Sequence, residues 1–202
     1  MTGVILLLII AAGLASYSST NNNSSQTNPL ASISIASTQP FQDVQYGFGI
    51  EVPVNWTVHN AIGIGPANPS GIIDVLTVTA PTNVFSSSFV VSVDPSPGTN
   101  SPSQYYQLYK SKVVQDNQGN GATFQLGANV TLGGLPAFDV SYTVHIPVGT
   151  QNYDCPEKDY VAIECSMAYI VSFSMCNVSG QPSTFSDFLT EFDYFASGFT
   201  FF

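Results

Sequence analysis

The densest group of residues that could carry chemistry is acidic and lies in the range 154–164. Its members are Asp154, Glu157, Asp159 and Glu164. Calcium prefers carboxylate and carbonyl oxygens as ligands, so we consider a calcium site formed by Asp154, Glu157 and Asp159. The group lacks the spacing and central glycine of an EF-hand, and an acidic loop that is only solvated would show the same pattern. We therefore expect no cofactor, with calcium as the one candidate.

Other catalytic or metal chemistry has little support. The two histidines, His59 and His145, form no HxH or HExxH pattern and the cysteines form no CxxC pattern, so we expect no zinc site. His145 falls on the polar face of a predicted strand, without an identifiable partner. A glycosidase needs two carboxyls across a cleft, and the sequence does not place such a pair. We expect no catalytic residues.

Cys155, Cys165 and Cys176 suit an exported protein with one disulfide. Cys165 and Cys176 flank a predicted strand, which would hold them about 36 Å apart, too far for a bridge. The sequence favours a bridge from Cys155 to Cys165, which would close a loop at its base. Pairing of Cys155 with Cys176 remains open if that loop folds back.

The charge balance excludes one large class of partner. Only 8% of the residues are charged, the net charge is −10, and the chain has three lysines and no arginine. Binding to nucleic acids depends on cations that neutralise phosphates, so we expect no nucleic-acid partner. Docking on anionic lipid headgroups is disfavoured for the same reason. A polar surface with few charges also fits a protein that is exposed to an acidic medium outside the cell.

The N-terminal part differs in composition from the rest. Residues 4–15 form an apolar run, too short for a full membrane span, so residues 1–15 fit an export signal or an uncleaved anchor. Residues 16–42 form a Ser/Asn-rich linker. Within it lies the strand-like segment 30–36. This segment would either pair with the chain's own sheet or act as a donor strand for a neighbouring subunit. Its apolar positions are Leu30, Ala31, Ile33 and Ile35.

Asparagine sequons point to an exported glycoprotein. Asn55, Asn129 and Asn177 begin N-x-S/T sequences and are the acceptors that we predict in the folded part. Two more sequons, at Asn22 and Asn23, fall in the linker, where they are compatible with chance.

The periodicity of residues 43–202 predicts the elements that position these groups. Residues 124–132 and 138–146 alternate apolar and polar side chains around the turn residues Gly133, Gly134 and Pro136, which predicts an antiparallel hairpin. Further strands are predicted near 48–58, 72–80, 89–93 and 165–175. Helices are predicted at 101–115 and 183–197, and residues 147–164 are interpreted as an irregular excursion.

The sequence resembles the PsbP-like family. The resemblance rests on Tyr46-Gly47-Phe48 leading to Pro53 and Asn55-Trp56, on the segment 132–137 (LGGLPA), on the segment 169–173 (YIVSF) and on the Phe-rich final helix. It covers residues 43–202 and implies an α+β fold, a PsbP-like α/β/α sandwich with a central antiparallel sheet and helices on both faces. The family includes extrinsic subunits that help photosystem II retain calcium and chloride. It also includes secreted or membrane-tethered microbial proteins.

These observations predict a non-catalytic, exported cell-surface domain that acts in binding or assembly. The alternative is a structural subunit of an extracellular filament that polymerises through segment 30–36. The expected partners are other surface proteins or a second copy of the chain. Contact with a membrane is expected only through the N-terminal apolar segment. An enzyme acting on extracellular glycans or peptides is the least supported reading.

Overall fold

The domain is built mainly from antiparallel strands. The computed structural model describes residues 37–60, 70–80, 87–116, 124–148, 150–180 and 185–202. The strands are β1 (Thr38–Asp43), β2 (Phe48–Pro53), β3 (Thr57–Asn60), β4 (Ile73–Thr79), β5 (Ser88–Asp94), β6 (Gln125–Leu132), β7 (Leu135–Val148), β8 (Gln151–Glu164), β9 (Met167–Ser174), β10 (Asn177–Val178) and β11 (Thr200–Phe201). The helices are α1 (Pro102–Asp116), a 3₁₀ turn (Phe185–Phe188) and α2 (Leu189–Ser197). Among the described residues, no helix is long and apolar enough to cross a membrane.

The strands form two sheets, and every described pairing is antiparallel. The large sheet has the order β3-β4-β5-β9-β8-β7-β6, with β10 added to β8, and the small sheet has the order β1-β2-β11. The predicted antiparallel sheet is therefore confirmed, but the domain contains more strand and less helix than a full three-layer sandwich implies.

The side chains of β9 show how two core clusters divide the large sheet. Tyr169, Val171 and Phe173 join a cluster that includes the apolar residues of α2. Ala168 and Ile170 point the other way and join a cluster that includes Tyr105, Tyr109 and Val113 of α1. Successive side chains on a strand alternate between its faces, so one set of β9 residues belongs to the cluster that includes α2 and the other set to the cluster that includes α1.

The predicted hairpin at 124–146 is confirmed as β6 and β7, but its first strand is irregular. The pairs Leu126↔Val140 and Asn129↔Phe138 leave one extra residue in β6, which is a β-bulge. The bulge reverses the alternation, so Phe124 packs with the α1-side cluster while Val130 packs with the α2-side cluster. The prediction that the apolar residues of this strand share one buried face is therefore wrong.

Two positions in this hairpin require glycine because neighbouring side chains leave no room for a Cβ atom. A Cβ at Gly127, in the bulge, would lie 1.6 Å from the carboxylate of Asp139. Gly133, in the β6–β7 turn, has a φ of +59°, and a Cβ there would lie 2.6 Å from the ring of Phe201. The turn therefore needs glycine both for its left-handed backbone and for packing against the C-terminal strand.

Two predicted boundaries are wrong. Residues 38–42, assigned to the linker, belong to β1, where Phe41 packs on the core and its ring lies 6.2 Å from that of Phe48. Pairing with β2 satisfies the backbone of this polar segment, which its composition did not indicate. The range 147–164, interpreted as irregular, is largely β8.

The predicted Cys155–Cys165 disulfide is also wrong, because the bridge joins Cys155 to Cys176. Glu157 pairs with Ser174, so continuing this antiparallel register places Cys155 beside Cys176, and their Cα atoms are 4.0 Å apart. Cys165 lies in the turn at the other end of β8, about 33 Å away along an extended strand. It is exposed and has a free thiol.

Candidate functional site

The most unusual feature of the domain is a pair of carboxyl groups inside it. Glu157 and Asp159 lie two positions apart on β8 and therefore share a face with Tyr153, Cys155 and Val161, which are all buried. Glu157 is 8% exposed and Asp159 is 0% exposed. Carboxylates at these positions interrupt the apolar alternation, which is why the sequence did not reveal the strand.

Hydroxyl groups from three neighbouring elements surround the pair. Tyr109 of α1 donates a hydrogen bond of 2.5 Å from Oη to Oδ2 of Asp159. Tyr142 of β7, directly opposite Glu157 in the strand register, interacts with both carboxyls, and Ser172 of β9 lies opposite Asp159 and interacts with it. The Oδ1 atom of Asp159 is buried and makes no hydrogen bond of ordinary geometry among the described residues.

Burial changes the acidity of every group in this cluster. Desolvation, followed by the charge of Asp159, raises the pKa of Glu157 well above its ordinary value of 4.5. Desolvation also raises the pKa of Asp159 to about 6, although hydrogen bonds from Ser172 and Tyr109 oppose the shift. The pKa values of Tyr109 and Tyr142 are raised by burial and by the nearby carboxyls. The phenols therefore stay neutral and act as donors.

A second acidic anchor holds α1 through residues in its first and third turns. Asp94, at the end of β5, accepts hydrogen bonds at Oδ2 from the Tyr105 hydroxyl at 2.7 Å and from the Lys112 ammonium at 2.5 Å. Its Oδ1 atom accepts from the backbone N–H of Ser96 at 3.0 Å. The Asp94 side chain is 1% exposed and that of Lys112 is 21% exposed. This ion pair ties α1 to β5.

Replacing Asp94 with asparagine should lower the free energy of unfolding by about 2 kcal/mol, because the partly buried Lys112 loses its counter-charge. Chemical denaturation followed by circular dichroism would measure the loss. Asp187→Asn, at an exposed position in the 3₁₀ turn, is the matched control and should change stability by less than about 0.5 kcal/mol. In the background Lys112→Met, the Asp94→Asn substitution should cost less. An equal cost there would contradict the role of this pair.

One exposed group contains the residue types of a hydrolase triad in the wrong arrangement. His145 Nδ1 and Ser179 Oγ both contact Oδ1 of Asp154, at 2.7 Å and 2.8 Å. These hydrogen bonds lower the pKa of Asp154. In a working triad the histidine contacts the serine and takes its proton. Here the serine donates to the carboxylate, so the group contains no activated nucleophile.

The structure separates the residues proposed as calcium ligands. Asp154 lies on the opposite face of β8 from Glu157 and Asp159, so the three cannot surround one ion. In the described part of the chain, no group of three or more histidine, cysteine or acidic residues is arranged to hold a metal. The calcium site proposed from the sequence is therefore wrong, because the acidic range is a strand and not a loop.

The remaining predicted site residues have mixed outcomes. Asn55 and Asn129 are exposed, as glycan acceptors must be, and their modification stays a prediction. Asn177 is 7% exposed and paired in β10, which does not suit an acceptor. The donor-strand candidates Leu30, Ala31, Ile33 and Ile35 lie outside the described residues.

Sequence reasoning missed Tyr109 and Tyr142 as parts of a polar site. Both fall at apolar positions of a helix and a strand, where tyrosine usually contributes only its ring. The available signal was the i, i+2 spacing of Glu157 and Asp159 between Cys155 and Val161. That spacing is strand-like if the carboxyls are accepted as inward-facing.

Comparison with known proteins supports the fold and little else. No protein-family model matches the sequence, and no curated protein matches it. The Ran-binding protein Mog1p of Saccharomyces cerevisiae is similar in structure, with a TM-score of 0.52 and 8% identity over 82% of this chain and 95% of that chain. This similarity shows a shared fold alone.

Two further solved structures are more distant. The cyanobacterial PsbP of Synechocystis sp. PCC 6803 has a TM-score of 0.48 and 16% identity, over 84% of this chain and 95% of that chain. LpqN, involved in cell envelope biogenesis of Mycobacterium tuberculosis, has a TM-score of 0.44 and 13% identity, over 81% and 90%. At these scores neither carries an argument about function, and membership of the PsbP-like family stays a prediction.

Proposed function

We propose that this chain is a non-catalytic, exported domain that acts at the cell surface in binding or assembly. The observation that carries this proposal is the location of its ionisable groups. Asp159 and Asp94 are buried and bound to α1, and Glu157 is buried beside Asp159. The exposed group around Asp154 has no activated serine. The Cys155–Cys176 bridge supports an oxidising compartment.

This proposal is tested on intact producing cells. Added protease should digest the chain without lysis, and the protein should be recovered with Cys155 and Cys176 oxidised. Purified protein should not turn over ester, glycoside or peptide probes, and H145A and S179A should behave as the parent chain does. A cytosolic, reduced protein would overturn the location. Turnover that disappears in S179A would overturn the absence of catalysis.

A specific feature also favours assembly by strand addition. β6 is an outer strand of the large sheet, and its sequence QLGANVTL contains no charge and no proline, two of the usual protections of a sheet edge. The bulge between Leu126 and Asn129 is a third kind of protection, and it leaves the paired stretch Asn129–Leu132 as the regular part of this edge. By contrast, the outer strand β1 contains Pro40 and β3 has only four residues. We infer that β6 accepts segment 30–36 of a second copy of this chain.

The position of Ser37, where the described domain begins, supports a second copy of the chain as the donor of segment 30–36. The Ser37 carbonyl accepts a hydrogen bond of 3.2 Å from the Val54 N–H. Val54 precedes the first residue of β3 by three positions. β3 and β6 are at opposite edges of the sheet, six strand spacings or about 29 Å apart along it. The first described residue, Ser37, therefore enters the domain beside the β3 edge and not beside β6, which supports a second copy of the chain as the donor.

Light scattering and negative-stain microscopy of unglycosylated protein (residues 16–202) test this assembly, since a glycan on Asn129 would cover the β6 edge. We expect filaments that are lost in the double variant I33D/I35D and retained in S32D/S34D, which changes the other face of the segment. L126K should also abolish them, while V54K should not. Leu126 and Val54 are matched controls because they are 54% and 51% exposed. A parent chain that stays monomeric would overturn strand addition.

A further inference from the structure

We propose that Glu157 and Asp159 form a proton-dependent latch. The latch holds α1 on the sheet while the pair keeps a proton, and it releases α1 when both carboxyls are ionised. This inference does not depend on the proposed function. It starts from geometry: two carboxyls share one buried face of β8, and the Tyr109 hydroxyl of α1 is bonded directly to one of them.

In the described part of the chain, no cation compensates the charge of the pair. Lys158 lies between the two carboxyls in sequence and therefore points to the opposite face, where its ammonium is 3.7 Å from Asp139 and 3.6 Å from Asp193. Lys112 is engaged by Asp94. The third lysine, Lys110, lies over the ring of Phe124, 5.5 Å from its centroid. Two carboxylates inside a protein without a cation repel each other strongly, so one of them must keep a proton.

The groups that face the pair come from every element packed against it. Tyr109 on α1, Tyr142 on β7 and Ser172 on β9 supply hydroxyl groups. Asp74 on β4 adds negative charge near Glu157 and itself accepts a 2.7 Å hydrogen bond from Ser92 of β5. All the facing groups are therefore neutral or acidic, and none stabilises a second negative charge on the pair.

The direction of the pH effect follows from proton linkage. Opening of α1 admits water to the carboxyls, so their pKa values fall back toward the ordinary values of 4.5 and 3.8. When the pH lies between the ordinary and the raised pKa values, opening of α1 releases protons to the solvent. The equilibrium constant for opening then rises about tenfold per pH unit for each proton released. The latch is thus closed in acid and weakens progressively as the pH rises above the ordinary carboxyl values.

Native-state hydrogen exchange of the α1 amides between pH 4 and pH 8 tests the latch in the intact chain. We expect protection factors, corrected for the intrinsic exchange rate, to fall at least tenfold per pH unit above pH 5, since each released proton contributes a factor of about ten per unit. Glu157→Gln keeps the shape and removes the proton of Glu157, so its slope above pH 6, where Asp159 has lost its own proton, should be much smaller. Glu164→Gln, at the far end of the same strand, is the matched control and should keep the parent slope.

Either of two results would overturn the latch: protection in α1 that does not change with pH, or an unchanged slope in Glu157→Gln. Infrared spectroscopy of the parent chain gives a second readout that does not depend on the variant folding. A protonated-carboxyl band should persist at pH 6, where exposed carboxyls are ionised, and its absence would refute the shared proton.

Discussion

Replacing Phe89 with alanine should lower the free energy of unfolding by about 3–5 kcal/mol, the largest single effect that we expect in this domain. Phe89 is 1% exposed on the central strand β5. Its ring lies 4.5 Å from that of Trp56 and 4.4 Å from that of Phe195 in α2, measured between centroids. The ring therefore joins the sheet, the segment before β3 and the last helix, and its removal leaves a cavity that rigid neighbours cannot fill.

Trp56 gives this prediction a direct measurement. It is the only tryptophan in the chain, it is 4% exposed, and it stacks on Phe89. Urea denaturation followed by its fluorescence should show a lower midpoint for Phe89→Ala and a smaller decrease for Phe89→Leu. Phe202→Ala, at a largely exposed ring, should change stability by less than about 0.5 kcal/mol. A cost below about 1 kcal/mol for Phe89→Ala would show that the cluster is loosely packed.

Removing the disulfide in the double variant C155A/C176A should cost about 3 kcal/mol. The two cysteines are separated by 21 positions, and closing a loop of this length restricts the unfolded chain by about that amount in the chain-entropy account. Both cysteines are buried, so alanine avoids placing a new polar group in the core. Denaturation under non-reducing conditions, compared with the parent chain, measures the loss.

The free cysteine supplies the matched control for this experiment. Cys165 is exposed in the β8–β9 turn, so C165A should leave stability and the disulfide unchanged. Peptide mapping without reduction should find residue 155 bonded to residue 176. If C165A removed the bridge instead, the register between β8 and β9 would have to be different.

Local periodicity was sufficient for the elements with regular alternation. The strands β7 and β9 and the helix α1 were all predicted close to their observed bounds, and β6 was predicted in its bounds but without its bulge. In each of them apolar side chains repeat at the period of the element, and Gly133 with Gly134 marks the turn. Such signals are readable because they depend on neighbours in sequence.

The sequence alone determined that this is a weakly charged, strand-rich domain with one disulfide and without the basic surface that nucleic acids need. Only the tertiary structure decided that 154–164 is a strand, which cysteine pairs with Cys155, and that Glu157 and Asp159 face inward. The physical reason is that a buried carboxyl is tolerated only when hydroxyl donors from other elements surround it. Those donors, Tyr109 and Tyr142, are distant in the chain, and only the pairing of β8 with β7 and the packing of α1 bring them together.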